Sequence, residues 1–221
     1  MSINKDRITR DQLFAHDLRN PLTAVRVLAQ MLAEDVPEEL QEDVEDILEA
    51  ADLAIVMVDG FSDSTIYCEG QAQTRVRQPM DLGEIVVSVA ERSAFRKKLE
   101  LGVLDAARVG ASSAAERVIA QVLYNGSRLL GPDKKLQVSV EMDGSVRVLH
   151  PHLSLAPADL LELLQPYGAV ALKARRLRAA PLGLHHCKRM MESLGGTLFI
   201  ENTPPGLLVR IQFSIWSAQT D

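Results

Sequence analysis

The sequence lacks the features that would tie it to an oxidising compartment or a membrane. It has two cysteines in 221 residues, Cys68 and Cys187, which are too few for a disulfide framework and fit a reducing compartment. The longest uninterrupted aliphatic run, Leu53 to Val58, is far too short to span a bilayer. The N-terminal residues include no apolar segment of the signal-peptide type. The expectation is a cytoplasmic protein with no membrane partner.

Positive charge is also scarce, and it is unevenly distributed. The 24 basic and 30 acidic residues give a net charge of −6, which argues against nucleic acid as the main partner. Residues 1–70 contain 5 basic and 16 acidic side chains, whereas the remainder contains 19 and 14. This asymmetry predicts two parts with different surfaces, a first domain over residues 1–70 and a second over residues 78–221.

The first part is predicted to form two helices. A capping box from Thr9 to Gln12 begins the first, and the stretch 35–38 (Asp-Val-Pro-Glu) marks a break and a restart. In both helices apolar residues recur at spacings of three and four, which is typical of helix bundles. A lone hairpin of this kind buries little apolar surface, so two copies are expected to pair as a four-helix-bundle homodimer. In the first helix the apolar positions are Phe14, Leu18, Leu22, Val25, Leu28 and Leu32.

His16 is the strongest candidate for a reactive residue in this part. At 100° per residue it lies on the opposite side of the helix from Leu18 and Val25, so its imidazole is expected to face solvent. Arg19 and Asn20 follow it by three and four residues and share its face. Pro21 removes a backbone hydrogen bond from the same region of the helix.

The stretch 16–25 (His-Asp-Leu-Arg-Asn-Pro-Leu-Thr-Ala-Val) resembles the phospho-acceptor motif of bacterial two-component histidine kinases. The resemblance implies that His16 is phosphorylated on a ring nitrogen and exchanges its phosphoryl group with an aspartate of a receiver domain. It further implies that Asp17 fixes the imidazole tautomer, that Arg19 compensates phosphoryl charge and that Asn20 orients a hydrolytic water. Receiver specificity is expected at surface residues of the same helix, namely Thr23, Arg26, Val27 and Gln30.

The second part is predicted to alternate helices with mostly antiparallel strands. Helices are expected over residues 82–97, 113–130, 157–164 and 182–194, and strands over residues 99–104, 197–200 and 207–215. Alternating runs around Asp143-Gly144 predict a hairpin of strands 136–142 and 145–149. The order resembles the ATPase domain shared by histidine kinases, gyrase and the Hsp90 chaperone. The predicted fold class is therefore α+β, a helical hairpin plus an α/β sandwich.

The nucleotide motifs of that ATPase family are largely missing. Asn125 matches its magnesium-coordinating asparagine, but the expected Asp-x-Gly-x-Gly is replaced by His-Pro-His-Leu-Ser at residues 150–154. Of the last glycine box only Gly183 remains, since Ala179 and Pro181 replace its first two glycines. Asn125 and Gly183 are thus the residual positions of a degenerate ATP site, and this chain is expected to bind no cofactor.

Two further groups in the second part are candidate sites. The pairs His150/His152 and His185/His186 lack the usual ligand spacing, so no metal site is expected. A basic cluster is an equally good candidate for a solubilising loop and for a docking surface that meets acidic side chains. The cluster consists of Lys173, Arg175, Arg176 and Arg178.

An intact phospho-acceptor beside a degenerate nucleotide site resembles the dimeric histidine phosphotransferases, which include the sporulation phosphotransferase and the ChpT-type. That resemblance implies a phosphotransferase in a bacterial phosphorelay, with autokinase activity unlikely. Its partners would be response-regulator receiver domains, which hold Mg²⁺, and an upstream hybrid histidine kinase. Two alternatives stay open: an atypical ATP-dependent histidine kinase, and a non-catalytic scaffold or inhibitor that binds a kinase or receiver.

Overall fold

The chain divides into two compact units, residues 1–71 and 72–221, in a computed structural model. The structure describes residues 10–68, 78–93, 95–111, 113–131, 133–165, 168 and 183–216. Within these ranges no helix is both long enough and apolar enough to cross a membrane. The basic cluster at residues 173–178 and the glycine-box positions 179 and 181 lie outside the described residues, as does the predicted cap at residue 9.

The first unit is a hairpin of two helices, α1 (Arg10–Asp35) and α2 (Glu38–Cys68). Pro37 at the predicted break is followed directly by α2, whose first turn contains two glutamates that favour the positive end of a helix. Among the described side chains of this unit, the buried apolar ones are small or medium-sized. The buried apolar side chains of the described part of this unit are Ala15, Ala29, Val44 and Ala51.

Most of the predicted apolar positions of α1 face away from α2. Five of them, which we call the apolar stripe, are 39–61% exposed: Phe14, Leu18, Val25, Leu28 and Leu32. Exposure of so much aliphatic surface along one face of a helix is unusual for a soluble monomer. The hairpin alone therefore leaves most of the predicted apolar positions of α1 uncovered.

The second unit is a five-stranded sheet with helices packed against it, accompanied by a small two-stranded sheet. The large sheet has the order β2 (Leu99–Leu104), β4 (Leu136–Glu141), β5 (Ser145–Pro151), β7 (Gly206–Gln212) and β6 (Thr197–Thr203). Only β2 and β4 are parallel. The small sheet pairs β1 (Gln78–Asp81) with β3 (Arg108–Ala111). The helices in the described part of the unit are α3 (Leu82–Arg92), α4 (Ser113–Leu129), α5 (Pro157–Leu163) and α6 (Gly183–Ser193).

Helix α4 contacts α3, α6 and strand β5, and α6 also contacts strand β6. The α+β prediction is confirmed, including the hairpin at residues 143–144, where Asp143 Oδ1 accepts from the backbone N–H of Ser145 at 2.9 Å. Several boundaries differ. The largest difference is at α3, which ends at Arg92 instead of residue 97, and a single 3₁₀ turn (Arg96–Lys98) separates it from β2. Strand β6 continues to Thr203 instead of residue 200, and β7 ends at Gln212 instead of residue 215. The pair β1–β3 was not predicted, because strands of four residues that contain Pro79 and Gly110 carry no alternating pattern.

Candidate functional site

His16, the predicted phospho-acceptor, is exposed to solvent on α1. The side chain of His16 is 68% exposed, and its Nδ1 lies 3.2 Å from Asp17 Oδ1. With a proton on Nδ1 this contact is a hydrogen bond to the carboxylate, and the Nε2 lone pair then faces solvent. An accessible imidazole with its tautomer set by a neighbouring carboxylate is a competent nucleophile.

The other predicted site residues surround His16 on the same face. Arg19 and Asn20 are both exposed, one turn further along the helix. Pro21 lies inside α1, so the carbonyl of Asp17 has no proline N–H to accept from. Thr23 Oγ1 donates to the carbonyl of Arg19 at 2.9 Å. One backbone hydrogen bond of α1 is therefore missing beside His16, and the Thr23 contact lies one turn further along the helix.

Arg19 has a partner that the sequence did not indicate. Its Nη2 donates to Asp59 Oδ2 at 3.0 Å, across the hairpin on α2. Arg26, predicted as a specificity residue, is half-buried because its Nε donates to Asp52 Oδ1 at 2.6 Å. Each helix places its members of the two pairs seven residues apart, but that spacing identifies the partners only once the register of the hairpin is known. Predicted specificity positions that are exposed in the hairpin are Thr23, Val27 and Gln30.

In the second unit, Asn125 is not presented to solvent. Its side chain is 3% exposed, and its amide Nδ2 donates to the carbonyl of Gln121, one turn earlier in α4, at 2.7 Å. A magnesium ligand needs an oxygen directed toward the ion and its nucleotide. The observed contact uses the amide nitrogen and not Oδ1, the atom that would ligate an ion, so it is the 3% exposure of Asn125 that separates this side chain from solvent in the described structure.

His150, at the position where the ATPase motif would have aspartate, is packed in the interior. The residue is 1% exposed and lies near the end of β5, with its Cε1 3.3 Å from where a Cβ on Gly126 would be. Neither ring nitrogen has a hydrogen-bond partner within the described ranges, and burial lowers the pKa of His150 to about 4. The imidazole is therefore neutral at physiological pH and closely packed against α4 beside Asn125.

The chain segment after β5 is held in place by specific contacts. His152 adopts a left-handed backbone conformation (φ 65°), and its N–H donates to the carbonyl of Pro205 at 2.9 Å. Asn202 on β6 accepts from the N–H of Leu155 at 3.1 Å and donates to the carbonyl of the same residue at 2.8 Å. Residues 152–155 thus pack against the β6–β7 hairpin.

Gly183, the last residual nucleotide-motif position, begins α6. It is buried and has a φ of 54°, a conformation that glycine adopts without strain. In the following turn the Nδ1 of His185 lies 2.9 Å from the carbonyl of Leu164, and burial lowers the pKa of His186 to about 4. These histidines are accounted for by local packing. Within the described ranges no group of three or more His, Cys, Asp or Glu side chains could hold a metal ion.

Comparison with known proteins relates both units to two-component signalling. Residues 14–65 match the family model of the His Kinase A (phospho-acceptor) domain. Two curated relatives, from Mycobacterium avium (strain 104) and Mycolicibacterium paratuberculosis (strain ATCC BAA-968 / K-10), are each named signal transduction histidine-protein kinase/phosphatase MprB. Each is 26% identical over 207 residues, covering 86% of this chain and 39% of the relative. The chain therefore spans well under half the length of these relatives.

Solved structures show the same fold. Histidine kinase AdeS of Acinetobacter baumannii matches with a TM-score of 0.56 and 21% identity, over 91% of this chain and 98% of that one. The ATP binding domain of PrrB from Mycobacterium tuberculosis matches with a TM-score of 0.50 and 14% identity, over 65% of this chain and all of that one. The chain thus combines a helical part matched by a phospho-acceptor family with an α/β domain of the type found in histidine kinases.

Proposed function

We propose that this protein carries a phosphoryl group on His16 and exchanges it with receiver-domain aspartates in two-component signalling. The observation that carries the proposal is the exposed His16 imidazole, its Nδ1 against Asp17, on a hairpin matched by the phospho-acceptor family. The partners proposed with it are response-regulator receivers, an upstream hybrid kinase and a second copy of this chain. The exposed apolar stripe supports the second copy.

The chemistry follows from the tautomer. The Nε2 lone pair of His16 attacks the phosphorus of a receiver's aspartyl phosphate, the bond from phosphorus to the carboxyl oxygen breaks, and the aspartate leaves as a carboxylate with that electron pair. The Nδ1 proton stays on the ring, where Asp17 offsets the positive charge that develops. Mg²⁺ on the receiver would neutralise the phosphoryl oxygens during transfer.

Two sources for the phosphoryl group are supported by different observations. The burial of Asn125 and His150 favours a phosphorelay, in which the group comes from a phosphorylated receiver. The relatives favour the kinase alternative, in which ATP supplies the group and ADP leaves, because both curated relatives are named kinase/phosphatase. These comparisons support the kinase alternative better than the relay, and they lend no support to the expectation that autokinase activity is unlikely.

A labelling experiment separates the alternatives. The full chain is incubated with a phosphorylated receiver and Mg²⁺, and separately with Mg²⁺ and radiolabelled ATP, and acid-labile label is then measured. If this chain takes label from the receiver but not from ATP, the relay is supported. If it takes label from ATP, the kinase is supported. In both cases His16→Gln abolishes the label, whereas His152→Asn, at another exposed histidine, retains it. If wild type takes no label from either donor, the proposal fails and the scaffold alternative gains.

A further inference from the structure

Two ion pairs cross the hairpin with the same spacing. Arg19 and Arg26 lie seven residues apart on α1, and their partners Asp59 and Asp52 lie seven residues apart on α2. Seven residues are close to two helical turns, so the pairs repeat on the same faces of the antiparallel helices. The hairpin therefore contains two similar arginine–aspartate contacts at different distances from His16.

Only one of these pairs is near the phospho-acceptor. Arg19 is three residues from His16, and residues at that spacing are neighbours on the helix surface. Arg26 is ten residues away, which corresponds to roughly 15 Å along the axis. Helical side chains also lean toward the N-terminus, which would direct a free arginine at residue 19 over the turn that contains His16.

Asp59 draws the Arg19 side chain in another direction. Arg19 lies at the edge of the His16 face, about 60° around the helix toward the side where Ala15 is buried against α2. The Asp59 side chain is 20% exposed, less than half the exposed fraction of Arg19 at 51%, so it is the more fixed partner. The contact at 3.0 Å therefore holds the guanidinium toward α2 and partly neutralises its charge.

We propose that Asp59 is a positioning residue that competes with the His16 phosphoryl group for the guanidinium of Arg19. The inference rests on the proposed function of His16. A phosphoryl group brings a charge of about −1.5 to −2 near neutral pH and three acceptor oxygens, and arginine binds such groups with its planar fork. On phosphorylation Arg19 turns from Asp59 to the phosphoryl oxygens, and the energy of the Asp59 contact is subtracted from the stabilisation of phospho-His16.

Removing the competitor should therefore favour the phosphorylated state. Loss of an exposed ion pair typically changes the equilibrium constant to which it contributes by a factor of about two to five. Asp59→Asn keeps the size and shape of the side chain but removes its charge, so the ratio of phosphorylated to free His16 should rise about two- to fivefold. Asp52→Asn removes the equivalent charge from the pair distant from His16 and serves as the matched control.

The test uses potassium phosphoramidate, which phosphorylates imidazole without a protein partner. His16 Nε2 attacks phosphorus, the P–N bond of the reagent breaks, and ammonia leaves. The plateau ratio of phosphorylated to free His16 is measured by ³¹P NMR for wild type, Asp59→Asn and Asp52→Asn. A rise for Asp59→Asn alone supports the proposal. Equal ratios in all three proteins, or a fall for Asp59→Asn, overturn it.

Two further measurements separate positioning from a merely structural role. In the Arg19→Gln background, Asp59→Asn should no longer change the ratio, because the guanidinium for which it competes is gone; a persistent rise overturns the proposal. Asp52→Asn breaks the shorter and more buried pair, so it should lower thermal stability at least as much as Asp59→Asn; a rise in the ratio for Asp59→Asn alone is then not a general effect of destabilisation. The reagent needs neither receiver nor ATP. If Asp59→Asn raises the phosphoramidate ratio but His16 takes no phosphoryl group from a receiver or from ATP, only the proposed function is contradicted. Absence of label on wild-type His16 contradicts both.

Discussion

Acidification should destabilise the α/β unit, because His150 and His186 are buried in their neutral forms. Burial lowers the pKa of each imidazole from 6.5 to about 4, whereas in the unfolded chain each regains its ordinary value. Between these values the unfolded state binds protons that the folded state does not. The stabilising contribution is therefore fully present above pH 6.5 and is lost progressively as the pH falls toward 4.

The size of the effect follows from the two pKa values. For one imidazole, linkage gives a loss of about 2 kcal/mol in the free energy of unfolding between pH 7 and pH 5. His150 and His186 together should lose about twice that amount. His150→Leu removes one of the two titrations and two buried nitrogens that lack partners, so it should halve the loss and leave stability at pH 7 equal or higher.

Urea unfolding at pH 7 and pH 5 measures this directly. Trp216, the single tryptophan of the chain, lies in the α/β unit, and its backbone N–H donates to the carbonyl of Arg108. Its fluorescence therefore reports on that unit. His152→Asn is the matched control, because residue 152 is exposed and asparagine tolerates its left-handed backbone conformation. This variant should keep the wild-type difference in the free energy of unfolding between the two pH values. A His150→Leu protein that retains the whole pH difference would refute the reasoning.

Three other substitutions test packing, capping and assembly. Gly126→Ala places a Cβ 2.7 Å from a leucine methyl carbon of β4 and should cost about 1–3 kcal/mol in urea unfolding, whereas Gly131→Ala, with nothing within 4 Å, should not. Asp81→Ala removes the side chain that caps α3 and should cost about 1 kcal/mol by the same measurement, while Asp81→Asn keeps most of the stability. Leu28→Glu, in the apolar stripe, should convert a dimer to monomers in light scattering, and Val27→Glu should not.

Local chemistry made much of the fold predictable from the sequence. The helix break before Pro37 and the tight turn at residues 143–144 depend on residues whose backbone preferences are strong. Alternation and helical periodicity identified the strands and helices that bury one face, because burial imposes those periods. The short strands β1 and β3 carry too few residues for any period to emerge.

Contacts between residues that are far apart in the sequence could not be predicted from it. Helix α2 is rich in acids, and nothing in their local surroundings distinguishes Asp52 and Asp59 from the others before the register of the hairpin is known. Asn125 matches a family position, yet its side chain turns to its own helix at Gln121. Burial of His150 depends likewise on the glycine at residue 126, which leaves room for the ring.

The apolar stripe lies nearly opposite His16 around α1, and this arrangement has a consequence for stoichiometry. A second hairpin that covers the stripe leaves both imidazoles on outward faces, out of reach of each other. Under the proposed function, two receivers should then engage one dimer without mutual exclusion, and saturation should occur at one receiver per chain. Occupancy of one acceptor should leave the affinity of the other unchanged.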